Sequence, residues 1–188
     1  MSGPAVATFA PERRLLQVAA HGGAQLSADT WRYRAELPGQ SLAGASVVLS
    51  LAELSASPET GAARLGVRLG PADAIEALAA YLPGLALIAI EFAGPGEGRG
   101  YSAARLLRQR YGFTGEIRAV GAVKQDQLFL MWRAGFDAFE LAPTERAHEA
   151  LAALQRYAVA YQPGAPAVPL RAQRFFTQRS GSVTSANS

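Results

Sequence analysis

Cysteine is absent from this chain of 188 residues, lysine occurs once, at Lys124, and histidine occurs only at His21 and His148. Without thiols, the sequence excludes disulfides, cysteine nucleophiles, iron–sulfur ligation and cysteine zinc sites. The two histidines are far apart and lack metal-ligand spacing, which argues against a histidine metal centre or a Ser-His-Asp triad. The sequence also has no flavin or nicotinamide fingerprint, so we expect no bound cofactor and no metal.

A long hydrophobic run is also missing. The most apolar segment, Leu85 to Ile90, is far shorter than the roughly 20 residues that cross a bilayer as a helix. Met1 to Ala10 has neither the basic start nor the continuous apolar block of a signal peptide. We therefore expect a cytoplasmic protein that does not associate with membranes.

Basic residues exceed acidic ones, with a net charge of +3, and almost all of the positive charge comes from arginine. The arginines are spread along the chain, without the Lys/Arg tracts or interleaved aromatic motifs of nucleic-acid-binding proteins. An acidic protein partner or a small anion fits this charge better than nucleic acid.

Short apolar runs alternate with helical periods from Ser46 onward, which is typical of consecutive βα units around a parallel sheet. The predicted strands are Ser46 to Leu51, Arg64 to Leu69, Leu85 to Phe92, Glu116 to Gly121 and Ala138 to Leu141. One helix is predicted to follow Pro71 as far as Leu82. Three more are predicted over Ser102 to Tyr111, Gln125 to Ala134, and Thr144 to Tyr157. The fold class is therefore α/β, with either an open parallel sheet or a partial barrel.

The length suits one domain, because a chain near this size buries roughly 70% of its unfolded surface. We place a single α/β domain at residues 1–162, including a small N-terminal β element at 12–36 that turns at His21-Gly22-Gly23. Residues 163–188 are predicted to be a flexible C-terminal tail. The aromatic pair Phe175-Phe176 in that tail is either a docking motif or a segment that adheres to its own domain.

A glycine-dense segment from Gly94 to Ser102 is the most informative part of the sequence. It does not match G-x-G-x-x-G, and no Gly-Lys-Ser/Thr exists for a Walker loop. Glycine-flanked backbone that leads into a helix can nevertheless hold an anion, helped by arginine forks. The predicted ligand-binding residues are Gly98, Arg99, Gly100, Tyr101, Ser102, Arg105 and Gln127.

Each of these residues also has a structural interpretation. Several glycines in one loop can simply allow tight turns, Ser102 can be an N-cap, and Arg99 can pair with Glu91 or Glu97. Arg108 and Arg110 are expected to face water.

Candidate catalytic residues are Glu91, Tyr101 and Asp126, with Glu140 as a further strand-end carboxylate. The carboxyl ends of parallel strands are where α/β sheets place ligand sites. Carboxylates there also serve as partners for arginine, and that structural use is the favoured interpretation. Lys124 could form a Schiff base, although a dipole-stabilised helix start around Asp126 explains the segment without chemistry.

The central block resembles a bacterial domain-of-unknown-function family, family 934, from about Ser46 to Tyr161. The matching segments are Gly98-Arg99-Gly100-Tyr101-Ser102, Ala104-Arg105-Leu106-Leu107-Arg108, Tyr111-Gly112-Phe113, Gly115-Glu116, Arg118-Ala119-Val120-Gly121, Asp126-Gln127-Leu128 and Gly135-Phe136-Asp137-Ala138-Phe139-Glu140-Leu141. Members of this family are often called probable oxidoreductases, and their genes commonly accompany those for sulfite reductase. The resemblance therefore implies a role in assimilatory sulfate reduction.

Two departures from the family pattern bear on function: Glu97 and Ala122 stand where an Asp is usual. Because Ala122 has no carboxylate at the second of these positions, a binding role is favoured over a catalytic one. The resemblance thus implies an accessory protein that binds the sulfite reductase haemoprotein, its electron donor or a sulfur oxyanion through the Gly/Arg loop. The alternatives are a small cofactor-independent enzyme acting on an anionic metabolite and a structural homo-oligomer without a ligand.

Overall fold

One eight-stranded sheet organises the protein. The structure is a computed structural model, and it describes residues 13–18, 23–56, 61–94, 97–141 and 146–160. The strands are β1 (Arg14–Val18), β2 (Ala24–Ala28), β3 (Arg32–Tyr33), β4 (Ser46–Ser50), β5 (Arg64–Leu69), β6 (Leu85–Phe92), β7 (Glu116–Gly121) and β8 (Ala138–Glu140). Their order across the sheet is β2-β1-β8-β7-β6-β5-β4-β3.

Strands β3 to β8 are parallel and lie side by side in chain order, which confirms the predicted α/β class. β1 pairs antiparallel with β8 and with β2, so the predicted N-terminal β element extends the same sheet as a hairpin. The sheet is curled into a half-barrel. Of the two architectures that the sequence left open, the partial barrel is therefore the one that forms.

The short connection between β2 and β3 explains why the sheet curls. These strands are its two edges, and seven spacings of about 4.8 Å would hold the edges of a flat sheet about 34 Å apart. Residues Asp29 to Trp31 join them, and a connection of that length reaches at most about 14 Å. The edges must therefore approach each other, and the connection runs across the concave side.

Trp31 fills that concave side. It is 3% exposed and belongs to a cluster with Val48, Leu87, Ala89 and Val120 that contains no helix residue. The larger core lies on the convex side, where strand residues pack against the helices.

Within the described residues, four helices and four 3-10 turns connect or follow the strands. The helices are α1 (Leu51–Ala56), α2 (Gly98–Gln109), α3 (Leu128–Ala134) and α4 (Ala147–Ala160), and the 3-10 turns are Arg34–Glu36, Ile75–Leu78, Leu82–Gly84 and Gln125–Gln127. Left-handed Gly112 (φ 70°) follows α2 and left-handed Gly135 (φ 113°) ends α3, and glycine adopts this conformation more readily than other residues.

The predicted helix after Pro71 is wrong, since that segment forms only the two 3-10 turns. The Asp73 carboxylate accepts a hydrogen bond from the Gly70 N–H (2.8 Å) and closes a local turn there. Pro83 then lies within the second turn. α4 begins at Ala147; its predicted cap, Thr144, and the predicted tail at 163–188 lie outside the described residues.

Candidate functional site

The glycine-dense segment leads directly into α2, which begins at Gly98. The prediction that Ser102 caps this helix is therefore wrong: its hydroxyl lies 3.4 Å from the Gly98 carbonyl, one turn inside the helix. Glu97 occupies the N-cap position, and its carboxylate accepts a hydrogen bond from the Ala93 N–H (2.8 Å). The glycines allow the helix to start four residues earlier than its apolar pattern indicates.

Arg99 is exposed in the first turn of α2, and its Nη1 donates to the Pro71 carbonyl (2.9 Å) rather than to Glu91 or Glu97. The adjoining cavity of about 40 Å³ has three carboxylates in its wall, those of Asp73, Glu91 and Glu97. That volume suits water, and the carboxylates would repel an anion.

Arg105 is exposed as well, but it follows Arg99 by six residues, so the two side chains leave the helix about 120° apart. Two arginines in this arrangement do not form one fork around a small anion. Arg110, just beyond the helix, is exposed as predicted. The outer side of α2 thus carries three exposed arginines, and no acidic residue occurs between Gly98 and Arg110. We call Arg99, Arg105 and Arg110 the α2 surface.

The other predicted ligand residues lie between α2 and the 3-10 turn before α3. Gly100 is buried against Phe92, so close that a Cβ would stand 2.5 Å from its ring. Tyr101 contacts the same ring edge to face, with centroids 5.6 Å apart. Burial raises the pKa of the Tyr101 hydroxyl, and the nearby charge of Asp126 raises it further. The structure thus brings Tyr101 close to Asp126.

Gln127, in the same region, is only partly exposed, and its Oε1 is buried without a hydrogen bond. Lys124 is exposed. The predicted roles of Tyr101, Asp126, Gln127 and Lys124 in binding or catalysis stay predictions.

Glu91 and Glu140 lie at the carboxyl ends of β6 and β8, as predicted. Glu91 pairs with Arg68 (2.7 Å), which agrees with the structural use expected for strand-end carboxylates. Glu140 accepts a hydrogen bond from the Tyr33 hydroxyl (3.1 Å). Sequence analysis missed Arg68 and Tyr33, although Arg68 stands out as the polar residue between the apolar Val67 and Leu69.

Arg118 lies inside the half-barrel and is fully buried. Its Nε donates to Glu116 and its Nη1 to Asp29, both at 2.9 Å. Asp29 also accepts a hydrogen bond from the Arg13 Nε (3.0 Å). Arg118 pairs with Ala89 of β6, and the small side chain of Ala89 leaves room for the Arg118 guanidinium. Two carboxylates thus offset the cost of burying one arginine.

Arg108 was predicted to face water, and that prediction is wrong, since it is 2% exposed. Its guanidinium donates to the Asp137 carboxylate and to the carbonyls of Phe113 (2.7 Å), Gly115 (2.8 Å) and Gly135 (3.0 Å). This arginine holds the loop between α2 and β7 against the loop between α3 and β8.

The Tyr33–Glu140 contact gives a testable dependence on pH. Burial, and then the charge of Glu140, raises the pKa of the Tyr33 hydroxyl above its usual value near 10. The unfolded chain therefore ionises Tyr33 at a lower pH than the folded chain, and stability falls as pH rises above about 10. We expect Tyr33→Phe to lose about 1 kcal/mol at pH 8, for the lost hydrogen bond.

Urea denaturation at several pH values from 8 to about 11 measures both effects. The difference in unfolding free energy between wild type and Tyr33→Phe should shrink as the pH rises through the usual tyrosine range. Tyr81→Phe is the control for the loss of a tyrosine hydroxyl elsewhere in the chain. A stability difference between wild type and Tyr33→Phe that stays constant with pH would contradict the assigned pKa direction.

Within the described part of the chain, no three His, Asp or Glu side chains group in a way that could hold a metal ion. None of the helices described has the length and apolar character that crossing a membrane requires. A family model described as a bacterial protein of unknown function (DUF934) matches residues 66–170. No curated protein matches the chain.

Proposed function

The chain belongs to the bacterial protein family of unknown function DUF934, and we propose that it is an accessory protein of assimilatory sulfite reduction. In this proposal it docks on the sulfite reductase haemoprotein through the α2 surface. The pathway follows from the resemblance of its central block to proteins encoded beside sulfite reductase genes. The mode of binding follows from the charge and exposure of α2.

One observation carries the docking proposal: the α2 surface has three exposed arginines, with no acidic residue in the helix to neutralise them. Arg99 uses one donor on the Pro71 carbonyl (2.9 Å), and an exposed guanidinium group has further donors that a partner can use. A surface of one charge sign also steers association with a partner of the opposite sign. An acidic face on another protein fits such a surface.

A free sulfur oxyanion fits less well than a protein. Arg99 and Arg105 leave the helix in different directions, and the only described cavity that Arg99 lines has about 40 Å³ and three carboxylates in its wall. A small anion there would meet one arginine and several negative charges. A protein surface can instead contact the arginines separately, across an area of several hundred Å².

The test is a binding titration of the purified protein against purified sulfite reductase haemoprotein at two salt concentrations. We expect saturable binding that weakens as salt rises from about 50 to about 300 mM, because exposed charges are screened over this range. Arg99→Ala/Arg105→Ala should weaken binding at low salt by about fivefold or more. The absence of binding at high micromolar concentration would reject direct association with the reductase.

Arg133→Ala is the matched control, since Arg133 is an exposed arginine on α3 instead of α2. It should bind as wild type does. An equal loss in Arg133→Ala would show that net charge, and not the α2 surface, decides binding.

A second candidate, a cofactor-independent enzyme acting on an anionic metabolite, is favoured by the groups on the concave side. Arg68, Glu91, Tyr33 and Glu140 lie at or near the carboxyl ends of their strands, where α/β barrels hold catalytic groups. Turnover of a metabolite that is lost in Glu91→Gln, with the α2 surface intact, would place this activity first.

A further inference from the structure

A cavity of about 630 Å³ lies at the opposite end of the parallel strands from the start of α2. Its volume is within the range of small-molecule sites. Arg64 and Glu116, the first residues of β5 and β7, line it together with Ala86 of β6. The glutamines Gln17 and Gln25 of the N-terminal hairpin complete its polar wall.

The ring of Trp31 holds Arg64 in place. Its guanidinium lies 4.7 Å from the centroid of the Trp31 ring, and Trp31 is itself 3% exposed and fixed in the concave cluster. The guanidinium makes no hydrogen bond to another described residue. A stacked arginine with free donors is preorganised to bind a carboxylate or a phosphate.

Glu116 supplies the opposite charge. Its Oε1 accepts the hydrogen bond from Arg118 (2.9 Å), while its Oε2 has no partner among the described residues. Arg118 is fully buried, and its Nη2 also lacks an acceptor. The Asp137 carboxylate in the same wall is already bound by Arg108 and by the Ile117 N–H. Glu116 is therefore the carboxylate that remains available to a ligand.

The spacing of the two charges suits a small molecule. Glu116 of β7 pairs with Leu87 of β6, which pairs with Gly66 of β5, two residues beyond Arg64. Two strand spacings of about 4.8 Å and two residue rises of about 3.3 Å place the Arg64 and Glu116 backbones roughly 12 Å apart. Both side chains line the same cavity, and the amides of Gln17 and Gln25 add neutral polar groups to its wall.

We propose that this cavity binds a small zwitterionic metabolite of the free amino-acid class, with Arg64 holding its carboxylate and Glu116 holding its ammonium group. The site is separate from the α2 surface, and the proposal does not depend on the proposed function. A protein with both features could carry a partner on one side and a metabolite on the other.

Trp31 provides the readout, because the ring under Arg64 responds when the guanidinium binds an anion. The chain has only one other tryptophan, Trp132, so the full-length Trp132→Phe protein reports Trp31 alone. Its fluorescence is titrated with free L-amino acids one at a time, and separately with inorganic phosphate. We expect a saturable change with at least one amino acid below about 1 mM.

The best amino acid is then compared with its N-acetyl derivative, which lacks the ammonium group, and with its methyl ester, which lacks the carboxylate. Each derivative should bind at least about tenfold more weakly, because each loses one charge-assisted contact. Binding of the N-acetyl derivative or of phosphate as tight as that of the amino acid would overturn the zwitterion assignment. No saturable change with any amino acid up to about 10 mM would overturn the site.

Arg64→Gln and Glu116→Gln should each weaken binding by about tenfold or more. Arg64→Gln should leave the fold intact, since Arg64 is exposed. Glu116→Gln keeps an oxygen for Arg118 and leaves Asp29 as its charged partner, and circular dichroism checks that this variant is folded. Arg133→Gln, at an exposed position on α3, is the matched control and should leave amino-acid binding unchanged. An equal loss in Arg133→Gln would contradict the assignment to this cavity.

Discussion

Arg108→Ala is expected to lower the free energy of unfolding by about 3–5 kcal/mol, the cost of breaking a buried ion pair by removing one partner. The Arg108 side chain donates to one carboxylate and three carbonyls, and it is 2% exposed. Its removal leaves the Asp137 charge buried without its guanidinium partner. Because whole domains are stable by only about 5–15 kcal/mol, this single change should unfold a large share of the protein under mild denaturant.

Urea denaturation followed by circular dichroism measures the change, with Arg110→Ala as the matched control. Arg110 lies two residues along the same segment but is exposed, and its replacement should cost no more than about 0.5 kcal/mol. Equal effects in the two variants would mean that the buried network contributes nothing specific to stability.

A double-mutant cycle separates the ion pair from the carbonyl contacts. Arg108→Ala combined with Asp137→Asn should be less destabilising than the sum of the two single variants, since neither then leaves a buried charge unpaired. Additive single effects would show that Arg108 acts through the carbonyls of Phe113, Gly115 and Gly135 alone.

Gly121→Ala is expected to cost about 2–5 kcal/mol for two independent reasons. Gly121 has φ +88°, a left-handed conformation that costs other residues about 1–2 kcal/mol. A Cβ there would also stand 2.5 Å from the Phe92 carbonyl oxygen, which accepts a hydrogen bond from the Ala122 N–H (2.8 Å). Because the Phe92 carbonyl is part of the backbone, the chain itself must shift to admit the Cβ. Overpacking of this kind typically costs about 1–3 kcal/mol.

Gly44→Ala separates the two reasons. Gly44 has a similar φ of +74°, but a Cβ there would meet nothing within 4 Å, so only the conformational cost should appear. Thermal melting of both variants beside wild type gives the comparison. If Gly44→Ala and Gly121→Ala lose the same stability, the close approach of β7 to Phe92 costs nothing and our account of Gly121 is wrong.

The strand pattern of the sequence was highly informative about the fold. Apolar runs predicted Arg64–Leu69, Leu85–Phe92 and Glu116–Gly121 with the bounds that the structure gives. Leu85–Phe92 is the clearest of the three, because a strand buried on both faces reads as a nearly continuous apolar run. Arg64–Leu69 and Glu116–Gly121 each carry an arginine inside an otherwise mainly apolar run. Helix starts were less predictable: the glycines before Ser102 support the first turn of α2 without contributing any apolar side chain to the periodic pattern.

The candidate site was only partly visible in the sequence. Glu91 and Glu140 could be placed at the carboxyl edge because parallel strands align their ends. Their partners could not be predicted, since Tyr33 and Glu140 are 107 positions apart and meet only because the half-barrel brings its edges together. The burial of Arg108 likewise depends on Gly135, where a Cβ would stand 2.8 Å from the arginine Cγ.

The sequence by itself determined the α/β class, the parallel strands and the family to which the chain belongs. These properties depend on local periodicity and on short motifs. Only the tertiary structure decided that the sheet curls, that Arg108 and Arg118 are buried, and that Arg64 and Glu116 face one cavity. Each of these depends on contacts between distant segments, and the three-residue connection from β2 to β3 brings several of those segments together by joining the two edges of the sheet.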